Sequence, residues 1–211
     1  MPWPTEIWPV PNLGSRKPVI TQRFKPSGPP YNHYGVDIMY RGKPGESRKI
    51  PHGAGPYHMP TGVPAVASAD GRVKWAQWSS KHGGGIGIVH RDVRGNAGTK
   101  VKTLTAGKGR VLTMYSHLLN MKVKPGQIVK KGQVLGYISD SPSVKDPRHL
   151  HFEVRRDGQG YGGKRSAVDP KPYLTGAGLS AHSGASGIFN YLLLGGIGYG
   201  AYRLLKWRGI L

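Results

Sequence analysis

Residues 148–154, Arg-His-Leu-His-Phe-Glu-Val, constrain the fold more than any other stretch of the chain. Leu150, Phe152 and Val154 alternate with His149, His151 and Glu153, the period of two expected of a strand with one buried face. Side chains at i and i+2 share a face about 6–7 Å apart along the strand, so His149 and His151 point the same way. Such a pair can bind one metal together, or one ring can bind while the other acts on what the metal holds. The plain alternative is a solvated strand face that happens to carry two histidines.

The rest of the chain suits a sheet as well. Glycine (33) and proline (18) are abundant, and helix-period stretches are scarce before residue 187. That predicts an all-β, turn-rich, compact antiparallel domain, and 211 residues are enough to bury one good core. There is no cysteine, which excludes a disulfide framework and thiolate metal sites. A metal here needs His, Asp or Glu ligands, a set that suits zinc.

Residues 1–30 read as an extended proline-rich arm, with Trp3 and Trp8 as anchors and no apolar run of the secretory-signal kind. Residues 31–39 carry His33 and Asp37. On a straight strand these would lie about 13 Å apart, too far to share one ion through bonds of about 2.0–2.2 Å. The chain is therefore expected to bend at Gly35, where a bend costs least. Residues 40–60 read as a long loop, a candidate groove rim that holds His52 and His58. Two apolar runs flank Asp70-Gly71 and predict a hairpin there. Further strands are expected at 83–90, at 111–118 with His117, and in a turn–strand–turn–strand pattern over 123–138. Residues 139–147 form the loop that delivers the histidine strand, and the domain spans 31–175.

Beyond it, residues 176–187 are a Gly/Ser/Ala linker. Residues 188–208 then read as a transmembrane helix with a basic end. No formally charged side chain occurs from Gly176 to Tyr202, and about 20 apolar residues suffice to cross a bilayer core. Tyr199, Tyr202 and Trp207 suit the interface, and Arg203, Lys206 and Arg208 reach headgroups. A buried or amphipathic helix is the alternative.

Net charge is +21, which draws the protein towards polyanions: nucleic acid, anionic membrane or cell-wall polymer. The basic residues are scattered, with no run of five and no nucleic-acid-binding motif, so no specific nucleic-acid partner is expected.

Five motifs now stand in order: His33-x-Gly35-x-Asp37, Gly62-Val-Pro-Ala-Val-x-Ala with Asp70-Gly71-x-Val, Tyr115-Ser-His117-Leu, Gly126-Gln with Lys131-Gly132-Gln-x-Leu-Gly136, and His149-Leu-His151-Phe-Glu-Val. Each is common alone; the ordered set, over residues 21–174, resembles the lysostaphin-type zinc metalloendopeptidases. The resemblance implies a groove on an antiparallel sheet and one Zn2+ per chain. It implies His33, Asp37 and His151 as metal ligands, with His117 and His149 as the unligated catalytic pair. Three protein ligands leave a fourth position open, as a catalytic zinc requires. Of the pair, His149 is taken as the general base and His117 as the oxyanion stabiliser. The implied substrate is the peptide of bacterial peptidoglycan.

Other readings are a non-catalytic wall-binding relative, which typically lacks one of the five positions, and a lipoyl-type carrier suggested by residues 123–138, whose Lys130-Lys131-Gly132 sits in the wrong part of that pattern. The basic end after the span, with no leader-like segment before it, suggests a membrane-anchored lysin carried in a phage virion among structural proteins. A cellular, membrane-anchored wall-remodelling enzyme is the alternative.

Overall fold

The structure is a computed structural model that describes residues 7–27, 32–42, 48–49, 56–80, 82–90, 111–139, 148–156 and 166–174. Twelve strands run through them: β1 (Pro18–Gln22), β2 (Val36–Arg41), β3 (Arg48–Lys49), β4 (Pro56–His58), β5 (Pro64–Val66), β6 (Gly71–Ser79), β7 (Gly83–His90), β8 (Val111–Leu119), β9 (Ile128–Val129), β10 (Val134–Ile138), β11 (Leu150–Arg156) and β12 (Ala167–Val168). The sheet is ordered β3-β4-β2-β11-β8-β7-β6-β9. β1 also pairs with β2, β12 with β11, and β10 with both β5 and β8. The all-β antiparallel expectation holds. Among the described residues the helical content is one 3-10 turn, Lys171–Tyr173.

Cross-strand register sorts the side chains. Val36, Phe152, Tyr115 and Ile86 lie side by side on β2, β11, β8 and β7. All four are fully buried, and the rings of Tyr115 and Phe152 meet edge-on at 5.2 Å. Full burial of side chains of this kind contributes about 1.5–3 kcal/mol apiece, so this face of the sheet is the core. One residue along each strand, Asp37, His151, Ser116 and Gly85 form a parallel row. By the period of two that row lies on the opposite face.

The arm joins this core. Ile7 N–H donates to the Ser68 carbonyl and Val66 N–H to the Pro9 carbonyl, Tyr40 O–H donates to the Pro11 carbonyl, and Val10 is fully buried.

Two expectations are corrected. β5 and β6 flank Asp70-Gly71 but do not pair: β5 pairs with β10, and β6 with β7 and β9. Asp70 instead accepts from Lys131 N–H and the Lys130 ammonium. A Cβ at Gly71 would sit 2.5 Å from Ile88, so the glycine serves close packing there, not a hairpin turn. The 40–60 segment is also not all loop, since β3 and β4 pair within it and β4 extends the sheet from β2. The candidate span 188–208 lies outside the described residues, among which no helix is long and apolar enough to cross a membrane.

Candidate active site

Three elements bring the predicted ligands together. β2 and β11 set Asp37 opposite His151. His33 precedes β2 and is held by paired backbone hydrogen bonds with Lys25, which place it beside them. His33 Nε2 lies 3.1 Å from Asp37 Oδ1 and 3.1 Å from His151 Nδ1, and His151 Nδ1 lies 2.9 Å from Asp37 Oδ1. In tetrahedral zinc with bonds of about 2.0–2.1 Å, ligand atoms stand about 3.3–3.4 Å apart, so the triangle is close to the required size.

The hydrogen bonds on the far sides of the rings decide which atoms face the centre. A carbonyl only accepts, so His33 Nδ1–H donates to the Arg23 carbonyl at 2.9 Å. A carboxylate only accepts, so His151 Nε2–H donates to Glu153 Oε1 at 3.0 Å. His33 Nε2 and His151 Nδ1 therefore point at the centre, with Asp37 Oδ1 beside them. Three such donors converging within a largely buried pocket need a cation, or a proton in its stead. Burial opposes charge on His151, but its hydrogen bonds to the Asp37 and Glu153 carboxylates outweigh that and raise the pKa to about 10. A metal at Nδ1 competes with that proton. Burial also opposes the Asp37 charge, yet nearby His149 and the hydrogen bond from His151 keep its pKa well below the carboxylate range.

The other two histidines stand beside this triad. The His117 and His149 rings are 4.6 Å apart, and those of His117 and His151 are 6.0 Å apart. His149 Nε2 is 3.6 Å from Asp37 Oδ1. His117 reaches this face through a bulge. Gly84 pairs with Leu118 and Gly85 with Ser116, which leaves His117 as the extra residue, with φ at +65°. The insertion lets Tyr115 and Leu118, three residues apart, both enter the core while His117 turns to the site. Its Nδ1–H donates to the His82 carbonyl at 2.9 Å. Burial, then charge on His149 and His151, pushes its pKa down to about 3, so the ring is neutral around pH 7.

His82 stands beside His117, with ring centroids 6.2 Å apart, while His90 and His58 lie elsewhere. Both ring nitrogens of buried His90 are bonded, to the Asp70 carbonyl and to Thr113 Oγ1. His58 pairs with core-facing Tyr40 and so takes the face away from Asp37. His52 lies outside the described residues.

Sequence reasoning gave no role to Gly35 beyond a bend. A Cβ there would lie 2.4 Å from the Phe152 carbonyl oxygen, 2.9 Å from Glu153 Cγ and 2.9 Å from His151 Nε2. Its backbone is pressed against the bond that orients His151. We expect Gly35→Ala to lower stability by about 1–3 kcal/mol, the usual range for overpacking, and to weaken metal binding. Thermal unfolding with and without zinc checks both, and an unchanged Tm would refute the close contact.

Three donor atoms gathered at one point, with two further imidazoles beside them on a sheet face, are the groups that a metallohydrolase centre needs. The sequence profile of peptidase family M23 matches residues 51–170, more than half of the chain, and the chain belongs to that family. The match starts after His33 and Asp37, and the structure places those two residues beside the histidine strand. The chain is 30% identical over 156 residues to the glycyl-glycine endopeptidase ALE-1 of Staphylococcus capitis, covering 74% of this chain and 32% of that protein. It is 29% identical over 134 residues to the peptidoglycan DD-endopeptidase ShyB of Vibrio cholerae, covering 59% of this chain and 27% of that one. It thus spans about a third or less of each of these curated relatives. A solved zinc-containing peptidase from Vibrio cholerae shares the fold, with a TM-score of 0.51 at 22% identity over 82% of this chain and 40% of the other. Zinc is the cofactor: the family and the His–Asp–His donor set agree on it.

Proposed function

We propose that this chain is a zinc-dependent endopeptidase that hydrolyses peptide bonds in bacterial peptidoglycan. The observation that carries the reading is the triangle of His33 Nε2, Asp37 Oδ1 and His151 Nδ1, with both rings anchored from behind. The names of the relatives support the substrate class but differ in the bond they cut. Bound zinc supplies Lewis acidity, polarising a carbonyl and making water more acidic.

The chain's own groups divide the proton work. His117 gives its Nδ1–H to the His82 carbonyl, so its Nε2 carries a lone pair placed to accept a proton from the attacking water. The burial that pushes its pKa down makes it a weak base that hands the proton on readily. An oxyanion stabiliser must donate, a part this leaves to His149, whose Nε2 lies 3.6 Å from Asp37 Oδ1. This exchanges the roles taken from the sequence. The test is incubation of the purified zinc-loaded chain with peptidoglycan. New amino termini should appear and vanish with a chelator; their absence from the zinc-loaded protein would refute the reading.

Residues 188–208 supply a membrane anchor in this proposal, supported by their uncharged length and basic end. Deleting 176–211 should turn a detergent-requiring protein into a soluble one that still digests peptidoglycan. Full-length protein that is soluble and monomeric without detergent would remove the anchor. The phage-particle setting rests on charge pattern alone, and is tested by finding this chain in purified virions rather than in bacterial membranes.

A further inference from the structure

We propose that Glu153 and Arg155 are a positioning pair for the metal centre: Glu153 fixes the His151 ring so that Nδ1 faces the metal, and Arg155 fixes Glu153. The inference rests on the zinc-site reading above and assigns work to residues that reading leaves unused. His151, Glu153 and Arg155 alternate along β11 and so share the site face. Glu153 and Arg155 are 4% and 3% exposed, which is costly for two charges unless each is matched.

The matching is divided. Glu153 Oε1 takes His151 Nε2–H at 3.0 Å, while Oε2 takes Arg155 Nε–H at 2.7 Å and lies 2.6 Å from Nη2. Arginine–carboxylate pairs frequently set both carboxylate oxygens against the guanidinium fork. Here one oxygen is kept for the histidine. Arg155 also offsets the Glu153 charge, so among the described residues Asp37 is the carboxylate whose partners are the site's own imidazoles. The backbone at Gly35 passes close to the His151–Glu153 bond, leaving no room for a side chain there.

The test uses the full chain as Glu153→Met/Arg155→Met and as Glu153→Gln. Replacing a buried ion pair with apolar side chains of similar volume is often neutral for stability, so the double variant is expected to fold, and near-UV circular dichroism checks that it does. Zinc affinity is read by competition with a chromogenic chelator. The His151 Nε2–H is read as a slowly exchanging imidazole proton in the 15N-labelled zinc form. The double variant should lose about 10–100-fold in zinc affinity, the range for removing such a partner, together with the protected proton. Glu153→Gln keeps an acceptor and should retain the proton and most of the affinity. A double variant that binds zinc like the wild type, or a Gln variant no better than the double variant, overturns the proposal. Wild-type chain that binds no zinc overturns the site reading itself, and this proposal with it.

Discussion

His151→Ala or Asp37→Ala is expected to abolish hydrolysis and zinc binding together, taking metal content from about one ion per chain to near zero, as loss of one ligand from a three-ligand site implies. The physical reason differs between the two. Asp37 is the only carboxylate in the donor triangle, and without it two imidazoles face the ion with no negative charge. His151 is a donor of the triangle held on both sides, by Glu153 behind it and Asp37 in front. Loss of an outer hydrogen-bond partner alone costs about 10–100-fold in affinity, so loss of a ligand should exceed that. Neither side chain is part of the apolar core, so the variants should stay folded. Elemental analysis after dialysis, beside peptidoglycan digestion, reads both effects. Full zinc content in His151→Ala would overturn the ligand assignment.

Replacing His117 or His149 should separate catalysis from metal binding. Neither belongs to the donor triangle, so zinc content should stay near that of the wild type, while turnover falls by about 10²–10⁴-fold, the usual contribution of positioned acid–base groups. His117 is best replaced by asparagine, which tolerates the +65° φ better than alanine. The two histidines are told apart by glutamine, which can donate a hydrogen bond but cannot take a proton. His149→Gln should retain more activity than His149→Ala if His149 stabilises the oxyanion. Equal loss in the two variants would return the role of base to His149. If neither position affects hydrolysis, the pair beside the metal is not catalytic.

How far the sequence reaches is clearest on the histidine strand. Alternation over 150–154 places three apolar residues in the core and His151 and Glu153 on the opposite face, because a strand's side chains obey a local period whatever surrounds them. Composition excluded thiolate ligands, and the spacing of His33 and Asp37 required a bend. The five motifs supplied the family, which the profile match over residues 51–170 shows independently.

Where local chemistry had several outlets, the sequence misled. Asp70-Gly71 has the form of a hairpin turn, yet β5 and β6 find other partners, since strand pairing is settled by the whole sheet. The bulge at His117 leaves no local mark, as an extra residue exists only relative to the strand opposite. Its tautomer depends on the His82 carbonyl, 35 residues away. The sequence by itself determined the strand faces, the metal-competent residue types and the family, because these follow from period, chemistry and order along the chain. Only the tertiary structure decided which nitrogens face the donor centre, which nitrogen of His117 is left without a proton, and why position 35 must be glycine. Those depend on atoms that distant segments bring within 3.1 Å of one another.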